Sequence, residues 1–162
     1  MKKETLTTTI IRCTYDELSP KDKQLANLAK EACKGSYNPY SHFRVGCALQ
    51  LDNEVIVTGS NQENAAYPSG MCAERTALYY AGALYPQSAV TALAIAAQSI
   101  KGFTPTPCPP CGACRQVIQE TEHRHSSSPI RIILYGTDEC LIIPDGAKAL
   151  LPLQFDETKM ED

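Results

Sequence analysis

Two short cysteine motifs contain the residues of this chain that are best suited to chemistry. The first reads Cys72-Ala73-Glu74-Arg75, and the second reads Pro-Cys-Gly-Ala-Cys-Arg-Gln over residues 110–116. Together they supply three thiols, and Glu74 follows the first of them by two residues. Three protein ligands leave the fourth position of a zinc ion open to water, as in catalytic zinc sites. Because a carboxylate beside that water can move protons, the motifs predict a hydrolytic zinc site.

The spacing within each motif limits where it can lie in the fold. Cys111 and Cys114 are three residues apart, so their side chains share one face in the first turn of a helix. Cys72 and Glu74 can reach one site only if Cys72 lies at the junction of a loop and a helix. Each motif is therefore expected at a helix N-terminus, where the dipole and free N–H groups favour thiolates. Three thiolates leave a zinc site with one excess negative charge, which Arg75 or the arginine at 115 would offset by turning inward.

Hydrophobic periodicity predicts the elements that position these motifs. Ser19 and Pro20 are typical of a helix start, and apolar residues recur at helical spacing until Gly35. Alternating apolar residues from 43 to 51 and a returning strand at 54–58 predict a hairpin. Further helices are predicted at 72–83 and from 111 to about 121, and further strands at 90–97, 130–135 and 141–143. The strand–helix–strand–helix–strand order from 54 to 135 indicates a partly parallel sheet covered by helices.

Length and composition restrict the class of protein. A chain of 162 residues that is 43% hydrophobic corresponds to one domain, with residues 1–19 as an N-terminal extension and residues 156–162 as a loose acidic tail. The net charge of −3 argues against a nucleic-acid partner, and the longest apolar run, 89–97, is too short for a membrane helix. The N-terminal residues have no apolar run of the kind found in signal peptides, so a cytoplasmic location is expected. There, paired cysteines indicate metal binding or catalysis more often than disulfides. The basic stretch 123–125 and the serines after it are expected to form a solvated loop.

Three longer segments resemble the signatures of the small zinc-dependent cytidine deaminases. They are YSHFRVG at 40–46, NQENAAYP followed by GMCAER within 61–75, and LLPLQF at 150–155. With the motif at 110–116, the similarity extends over about residues 20 to 155 in the order of the family. The resemblance implies a three-layer α/β/α sandwich with a central mixed, partly parallel five-stranded sheet. It also implies a homotetramer that deaminates cytidine and deoxycytidine hydrolytically, with release of ammonia, in pyrimidine salvage.

The resemblance assigns the metal and the proton transfers to the two cysteine motifs. Cys72, Cys111 and Cys114 would bind one zinc ion per chain. Glu74 would move protons from the attacking water to N3 of the base and to the departing ammonia. Arg75 would hydrogen-bond the sulfurs of the ligands.

The resemblance assigns substrate binding to five residues. Asn61 and Glu63 would hydrogen-bond the ribose hydroxyls, and Phe43 would lie against the pyrimidine. Ala73 would also contact the substrate, and Phe155 would stack on the base from a second subunit. Tyr67 and the tyrosines at 79 and 80 are interpreted as packing residues.

Several alternatives stay open at the level of the residues. Cys108, which is outside the family pattern, could close a structural Cys₄ zinc site, although this leaves Glu74 without a task. A deaminase of another aminopyrimidine nucleoside, of the blasticidin S type, is a second alternative, which the Asn-x-Glu segment at 61–63 disfavours. The alternation of Phe43 with its neighbours also fits core packing, and Phe155 could pack against its own chain.

Overall fold

A computed structural model describes residues 1–125 and 128–160. Within these ranges the chain forms seven strands and four α-helices. The strands are β1 (Ile11–Cys13), β2 (Arg44–Leu51), β3 (Ile56–Ser60), β4 (Val90–Ser99), β5 (Gly102–Phe103), β6 (Arg131–Leu134) and β7 (Cys140–Ile143). The helices are α1 (Pro20–Ala32), α2 (Ala73–Leu84), α3 (Gly112–His125) and α4 (Gly146–Leu150).

The strands form one mixed sheet in the order β1-β7-β6-β4-β2-β3, and the short β5 pairs with the end of β4. The β4–β6 pair is parallel, whereas the other strand pairs of the described ranges are antiparallel. A mixed, partly parallel sheet is thus confirmed, but five strands was too low a number. The sequence pattern missed β1 because it has three largely exposed residues, and β5 because it has two. Strand β1 lies within residues 1–19 and adds an edge to the sheet beside β7.

Helices cover both faces of the sheet, as the predicted sandwich requires. Helix α1 begins where the sequence indicates, with the Ser19 hydroxyl accepting a hydrogen bond from the Asp22 N–H at 3.1 Å. Its apolar residues pack with Ala48, Ala94 and Ile133 on one face of the sheet. The apolar residues of α2 and α3 pack on the opposite face, with a cluster of strand residues: Cys47, Leu49, Leu51, Leu93, Ile95 and Ile132. Both faces of β2 are therefore buried, not only the predicted apolar one.

Two glycines allow the helices to approach the sheet closely. A Cβ at Gly46 would lie 2.0 Å from the carbonyl oxygen of Ala29 in α1. A Cβ at Gly59 would lie 2.7 Å from the carbonyl oxygen of Ala73 and 2.6 Å from the amide nitrogen of Ala77 in α2. Such contacts are far inside the packing distance of carbon atoms, so only glycine fits. Gly59 thereby positions the first turn of α2, which follows Cys72.

The element boundaries differ from the prediction at the C-terminal half. Helix α3 continues to His125, so residues 123–125 form its last turn and not a loop. The apolar period ends at Ile118, and the polar turns beyond it carry no periodic signal. The serines at 126 and 127 lie outside the described residues. The acidic tail contains a 3-10 turn, Glu157–Lys159, within the described range. None of the helices in residues 1–125 and 128–160 has the length and apolar character needed to cross a bilayer.

Candidate active site

The N-termini of α2 and α3 bring the three motif cysteines together. Cys72 is the N-cap residue of α2, with extended backbone angles, and Cys111 directly precedes α3. The Sγ atoms of Cys72 and Cys111 are 3.8 Å apart, and those of Cys111 and Cys114 are 3.4 Å apart. All three sulfurs lie within 4.8 Å of one another. The position of Cys72 as N-cap confirms the predicted loop-to-helix junction. Because of this junction, Glu74 lies in the first turn of α2 beside the sulfurs.

The sulfur cluster has the dimensions of a zinc site. Tetrahedral zinc with Zn–S bonds of ~2.3 Å places two ligand sulfurs about 3.8 Å apart, close to the observed separations. Cys108 stands outside this group of metal-ligating side chains in the described part of the chain. Its thiol instead lies 3.9 Å from the carbonyl oxygen of Pro109. The donor set is therefore three cysteines, which leaves a position for water.

Hydrogen bonds within the cluster concentrate negative charge on one sulfur. The pKa of the Cys72 thiol is lowered to about 5 because Cys114, Arg75 and Cys111 donate to it, against the opposing effect of burial. The pKa of Cys114 is raised because it donates to Cys72 and is buried. Cys72 and Cys114 therefore share their protons within the cluster. A metal cation would replace those protons, since thiolates are the ligands that zinc binds.

The two arginines of the motifs have different roles. Arg75 turns toward the cluster, with Nη2 at 3.8 Å from the Cys72 sulfur. Its Nε is buried and has no hydrogen-bond partner among the described residues. Arg115 turns away from the cluster. Its Nε donates to the carbonyl oxygen of Pro110 at 2.9 Å, and its Nη1 donates to that of Leu150 at 2.9 Å. Of the two arginines that could offset the charge of the site, only Arg75 turns inward among the described residues, because the guanidinium of Arg115 binds backbone carbonyl oxygens.

Glu74 is a buried carboxyl group at the site. It is 4% exposed, and burial raises its pKa. Its own backbone N–H opposes that rise, while the negative charge of Cys72 adds to it. A raised pKa makes the carboxylate a stronger base and lets the acid form persist to higher pH, which suits a group that accepts a proton and then returns it.

A cavity of about 400 Å³ opens at the cluster. The predicted site residues that line it are Phe43, Asn61, Glu63, Cys72, Ala73, Glu74, Arg75 and Cys111. Cys114 is fully buried behind them. Ser41 and Tyr67 also line the cavity, and sequence reasoning missed both as site residues. Tyr67 is 75% exposed and meets the ring of Tyr40 edge-on, with centroids 6.1 Å apart, so it is not a core packing residue.

Asn61 connects β2 to the segment before α2. Its Oδ1 accepts a hydrogen bond from the Val45 N–H at 2.7 Å, and its Nδ2 donates to the Phe43 carbonyl at 3.0 Å. Each group of the amide retains the capacity for one more hydrogen bond. Asn61 thus positions Phe43 at the cavity and still presents a donor and an acceptor.

Glu63 is bound by the loop that precedes β2. Its carboxylate accepts hydrogen bonds from the Tyr40 N–H at 2.9 Å, the Ser41 N–H at 3.2 Å and the Ser41 hydroxyl. These bonds, the hydroxyl first, lower the pKa of Glu63 against the opposing effect of burial. Glu63 is therefore an ionised acceptor at the cavity. The partner of Glu63 could have been inferred from the sequence, because Ser41 belongs to the YSH segment that resembles the family signature.

Phe155 lies outside the residues that line the cavity of its own chain. Its side chain is 57% exposed, and its carbonyl oxygen accepts a hydrogen bond from Gln116 Nε2 at 2.9 Å. The alternative in which Phe155 packs against its own chain does not fit this exposure.

Three thiols and a buried carboxyl group beside a cavity, at two helix N-termini of an α/β/α sandwich, define a zinc-dependent hydrolase. Residues 19–127 match the family model described as cytidine and deoxycytidylate deaminase zinc-binding region. The chain belongs to this family of deaminases, and zinc is its cofactor.

Relatives and solved structures agree with this assignment. The cytidine deaminase of Halalkalibacterium halodurans is 45% identical over 100 residues, which cover 61% of this chain and 71% of that protein. That of Mycobacterium tuberculosis is 39% identical over 92 residues, covering 57% and 65%. The crystal structure of cytidine deaminase from Burkholderia pseudomallei superposes with a TM-score of 0.65 at 34% identity, covering 85% of this chain and all of that one.

Proposed function

We propose that this enzyme deaminates cytidine and deoxycytidine hydrolytically, giving uridine and deoxyuridine with release of ammonia, in pyrimidine salvage. The observation that carries the proposal is the buried carboxyl group of Glu74 beside the three-cysteine cluster, at a cavity that Glu63 and Asn61 also line. The similarity to cytidine deaminases supports the choice of base.

The residues of the chain divide the chemistry between them. A zinc ion held by Cys72, Cys111 and Cys114 would supply Lewis acidity, which would make water a nucleophile near neutral pH. Glu74 accepts a proton as water adds to C4 of the base and delivers it to N3. It then takes the proton of the C4 hydroxyl group and delivers it to the amino group, which leaves as ammonia while the C4 carbonyl forms. Burial of Glu74 keeps bulk water away from these transfers.

The polar residues of the cavity account for a nucleoside substrate. Glu63 is an ionised acceptor, and Asn61 retains one donor and one acceptor site. These are the groups that bind sugar hydroxyls. A site built to hydrogen-bond a hydroxyl strongly rejects analogues that lack it, because its own polar groups are then left unpaired. Phe43 and Ala73 provide apolar contact for the pyrimidine beside them.

The active form is proposed to be a homotetramer in which Phe155 enters the cavity of a neighbouring subunit. Support comes from the exposure of Phe155 at 57% and of Leu153 at 84%. Tyr79, Tyr80 and Leu84 of α2 are also more than half exposed. Exposed apolar groups of this kind are typical of surfaces that become buried when subunits assemble. A cytoplasmic location is proposed as well, because the cysteine ligands need a compartment that keeps thiols reduced.

A substrate panel tests the proposed function. Purified zinc-loaded enzyme is assayed by ultraviolet absorbance on cytidine, deoxycytidine, cytosine and blasticidin S. We expect efficient turnover of the nucleosides and very poor turnover of cytosine. Glu63→Gln should raise the KM for cytidine, because the amide replaces one acceptor of the carboxylate with a donor. Equal efficiency on cytosine and cytidine would reject the nucleoside assignment, and turnover of blasticidin S alone would favour the second type of deaminase.

A further inference from the structure

The C-terminal stretch from the last residue of α4 onward, residues 150–160, is attached to α3 on both sides of Phe155. We call it the C-terminal segment. Before Phe155, the backbone at Leu150 is held by the guanidinium of Arg115 at 2.9 Å. At Phe155, the carbonyl oxygen accepts from Gln116 Nε2 at 2.9 Å. Just after it, the carboxylate of Glu157 accepts a hydrogen bond from the imidazole Nε2 of His123. The helix residues that hold the segment are thus spread along α3.

The amide of Gln116 is itself oriented by a buried neighbour. Gln116 Nε2 also donates to Gln119 Oε1 at 2.8 Å, and Gln119 is only 3% exposed. An amide nitrogen has two hydrogens, so one is used for Gln119 and the other for the Phe155 carbonyl. Gln116, Gln119 and His123 follow the i, i+3, i+7 spacing of one helix face. This face of α3 therefore binds one specific backbone atom, the carbonyl oxygen of Phe155.

The residues just after Phe155 form a local structure that supports the attachment of Glu157 to His123. Asp156 is the N-cap of the 3-10 turn Glu157–Lys159, and its carboxylate accepts from the Thr158 N–H at 3.1 Å. Its contacts with Thr158 and with Lys159 lower the pKa of Asp156, the hydroxyl of Thr158 first. The turn directs Glu157 toward His123. Phe155 is thereby placed between two fixed points while its ring stays exposed.

We propose that Gln116, Gln119 and His123 are positioning residues, which hold Phe155 in the place from which it completes the cavity of a neighbouring subunit. This inference rests on the proposed function, because it takes the shared cavity as given. A single exposed ion pair stabilises little. Attachment on both sides of Phe155 acts instead by ordering the backbone before the subunits meet, which reduces the entropy lost when the substrate site forms.

Two variants and matched controls test the positioning role. Gln116→Leu removes the donor to the Phe155 carbonyl, and Glu157→Ala removes the contact with His123. Glu157→Gln is the conservative control, since its amide oxygen can still accept from His123. Glu120→Gln is a second control, because Glu120 pairs with Arg124 within α3. Zinc content and sedimentation are measured for every variant, so that loss of metal or assembly is recognised.

The two variants should raise the KM for cytidine by about three- to tenfold, within the range of coupling measured for residues in contact. Their kcat should change less than about twofold, because binding and not chemistry is affected. Both controls should behave as wild type. Hydrogen exchange of residues 150–160 should become faster in Gln116→Leu. In a Phe155→Ala background, Gln116→Leu should have no further effect on KM, which a general loss of stability would not reproduce.

The outcomes separate this inference from the proposed function. If Phe155→Ala raises KM but Gln116→Leu and Glu157→Ala do not, the positioning role is rejected and the shared cavity stands. If the effects of Gln116→Leu and Phe155→Ala are additive, Gln116 does not act through Phe155, and the inference is also rejected. If Phe155→Ala leaves KM unchanged, the shared cavity itself is rejected, and the positioning role with it.

Discussion

Cys72 and Glu74 are two residues apart, yet their pKa values shift in opposite directions. Donors from Cys114, Arg75 and Cys111 lower the pKa of Cys72, whereas burial raises that of Glu74. The helix start explains how this occurs, because Cys72 is the N-cap and Glu74 lies within the first turn. A thiolate for the metal and a carboxyl group that can carry a proton therefore come from one short segment.

Replacing the thiols one at a time distinguishes the zinc ligands from their neighbour. Cys108→Ser should retain one zinc per chain and nearly full activity, because Cys108 stands outside the sulfur cluster. Cys111→Ser should lose both, since two thiols do not hold the ion. Metal analysis after dialysis, together with the cytidine assay, measures both effects. Loss of zinc from Cys108→Ser would instead support a structural Cys₄ site.

Glu74→Gln tests the proton transfers. The amide keeps the size of the side chain, so zinc content and thermal stability should match wild type. The rate constant kcat should fall by at least about 10²–10⁴-fold, the usual contribution of a general acid–base. Steady-state kinetics on cytidine measure the loss. A variant that retains more than about a tenth of the wild-type kcat would contradict the role of Glu74.

At the scale of elements, the site depends on how closely α2 approaches β3. Gly59→Ala would place a methyl group against the backbone of Ala73 and Ala77, so α2 must shift. We expect a loss of about 1–3 kcal/mol in the free energy of unfolding, as for other overpacked positions. Zinc affinity should fall too, because Cys72 and Glu74 move with the helix. Urea unfolding and competition with a chelator measure these effects.

Gly82→Ala is the matched control in the same helix. A Cβ at Gly82 would meet only the flexible end of Arg124, at 3.4 Å. Alanine should leave stability unchanged or raise it by up to about 1 kcal/mol, because glycine is unfavourable within a helix. Equal effects of Gly59→Ala and Gly82→Ala would show that the close approach at Gly59 is unimportant.

An ion pair joins α1 to β6 and should make stability depend on pH. Asp22 accepts from Arg131 Nε at 3.1 Å and from Nη2 at 2.7 Å. Burial raises the pKa of Asp22, but the hydrogen bonds from Arg131 and Ser19 outweigh it, so the pKa is lowered overall. The pair therefore stabilises the fold above the unfolded pKa of about 3.9. That stability is lost as the pH falls through the lower pKa of the folded state.

Asp22→Asn tests this dependence. At pH 7 it should cost about 1–3 kcal/mol of unfolding free energy, toward the lower end because the Arg131 side chain is 39% exposed. The difference from wild type should shrink as the pH falls from about 5 to about 2. Denaturant unfolding at several pH values measures it. Asp16→Asn, at an exposed position, is the control. A difference that does not change with pH would rule out the ion pair as its source.

At the scale of the whole molecule, a shared cavity predicts that two defective chains can complement each other. Glu74→Gln lacks the proton carrier but keeps Phe155, and Phe155→Ala has the reverse defect. If the proposed tetramer forms, chains mixed by co-refolding should contain cavities with Glu74 from one chain and Phe155 from another. Kinetics of the mixture should therefore show a low-KM component that neither parent has.

A second mixture controls for that complementation. Glu74→Gln and Cys111→Ser both affect residues that one chain supplies to its own cluster. Their mixture should remain inactive whatever the exchange of subunits. The absence of a low-KM component in the first mixture, with exchange demonstrated by sedimentation or tagging, would show that each chain forms its cavity alone.

The parts of this protein that depend on local spacing can be predicted from the order of its residues. Cys111 and Cys114 share one turn of a helix, and Cys72 with Glu74 requires a helix start, so the metal donors and the carboxyl group were predictable. The α1 cap and the apolar periods predicted most helices and strands for the same reason, because backbone geometry repeats every two or 3.6 residues.

Contacts between groups that are far apart along the chain depend on tertiary packing. Three hydrogen bonds of the site join segments that are far apart in sequence. They link the Asn61 amide to the Phe43 carbonyl, the Ser41 hydroxyl to Glu63, and Arg115 to the Leu150 carbonyl. The pairing of β1 with β7 is another example. No periodic pattern encodes such contacts. They form because packing of the helices on the sheet determines which donors and acceptors come within reach of one another, and most polar groups that lose contact with water are hydrogen-bonded.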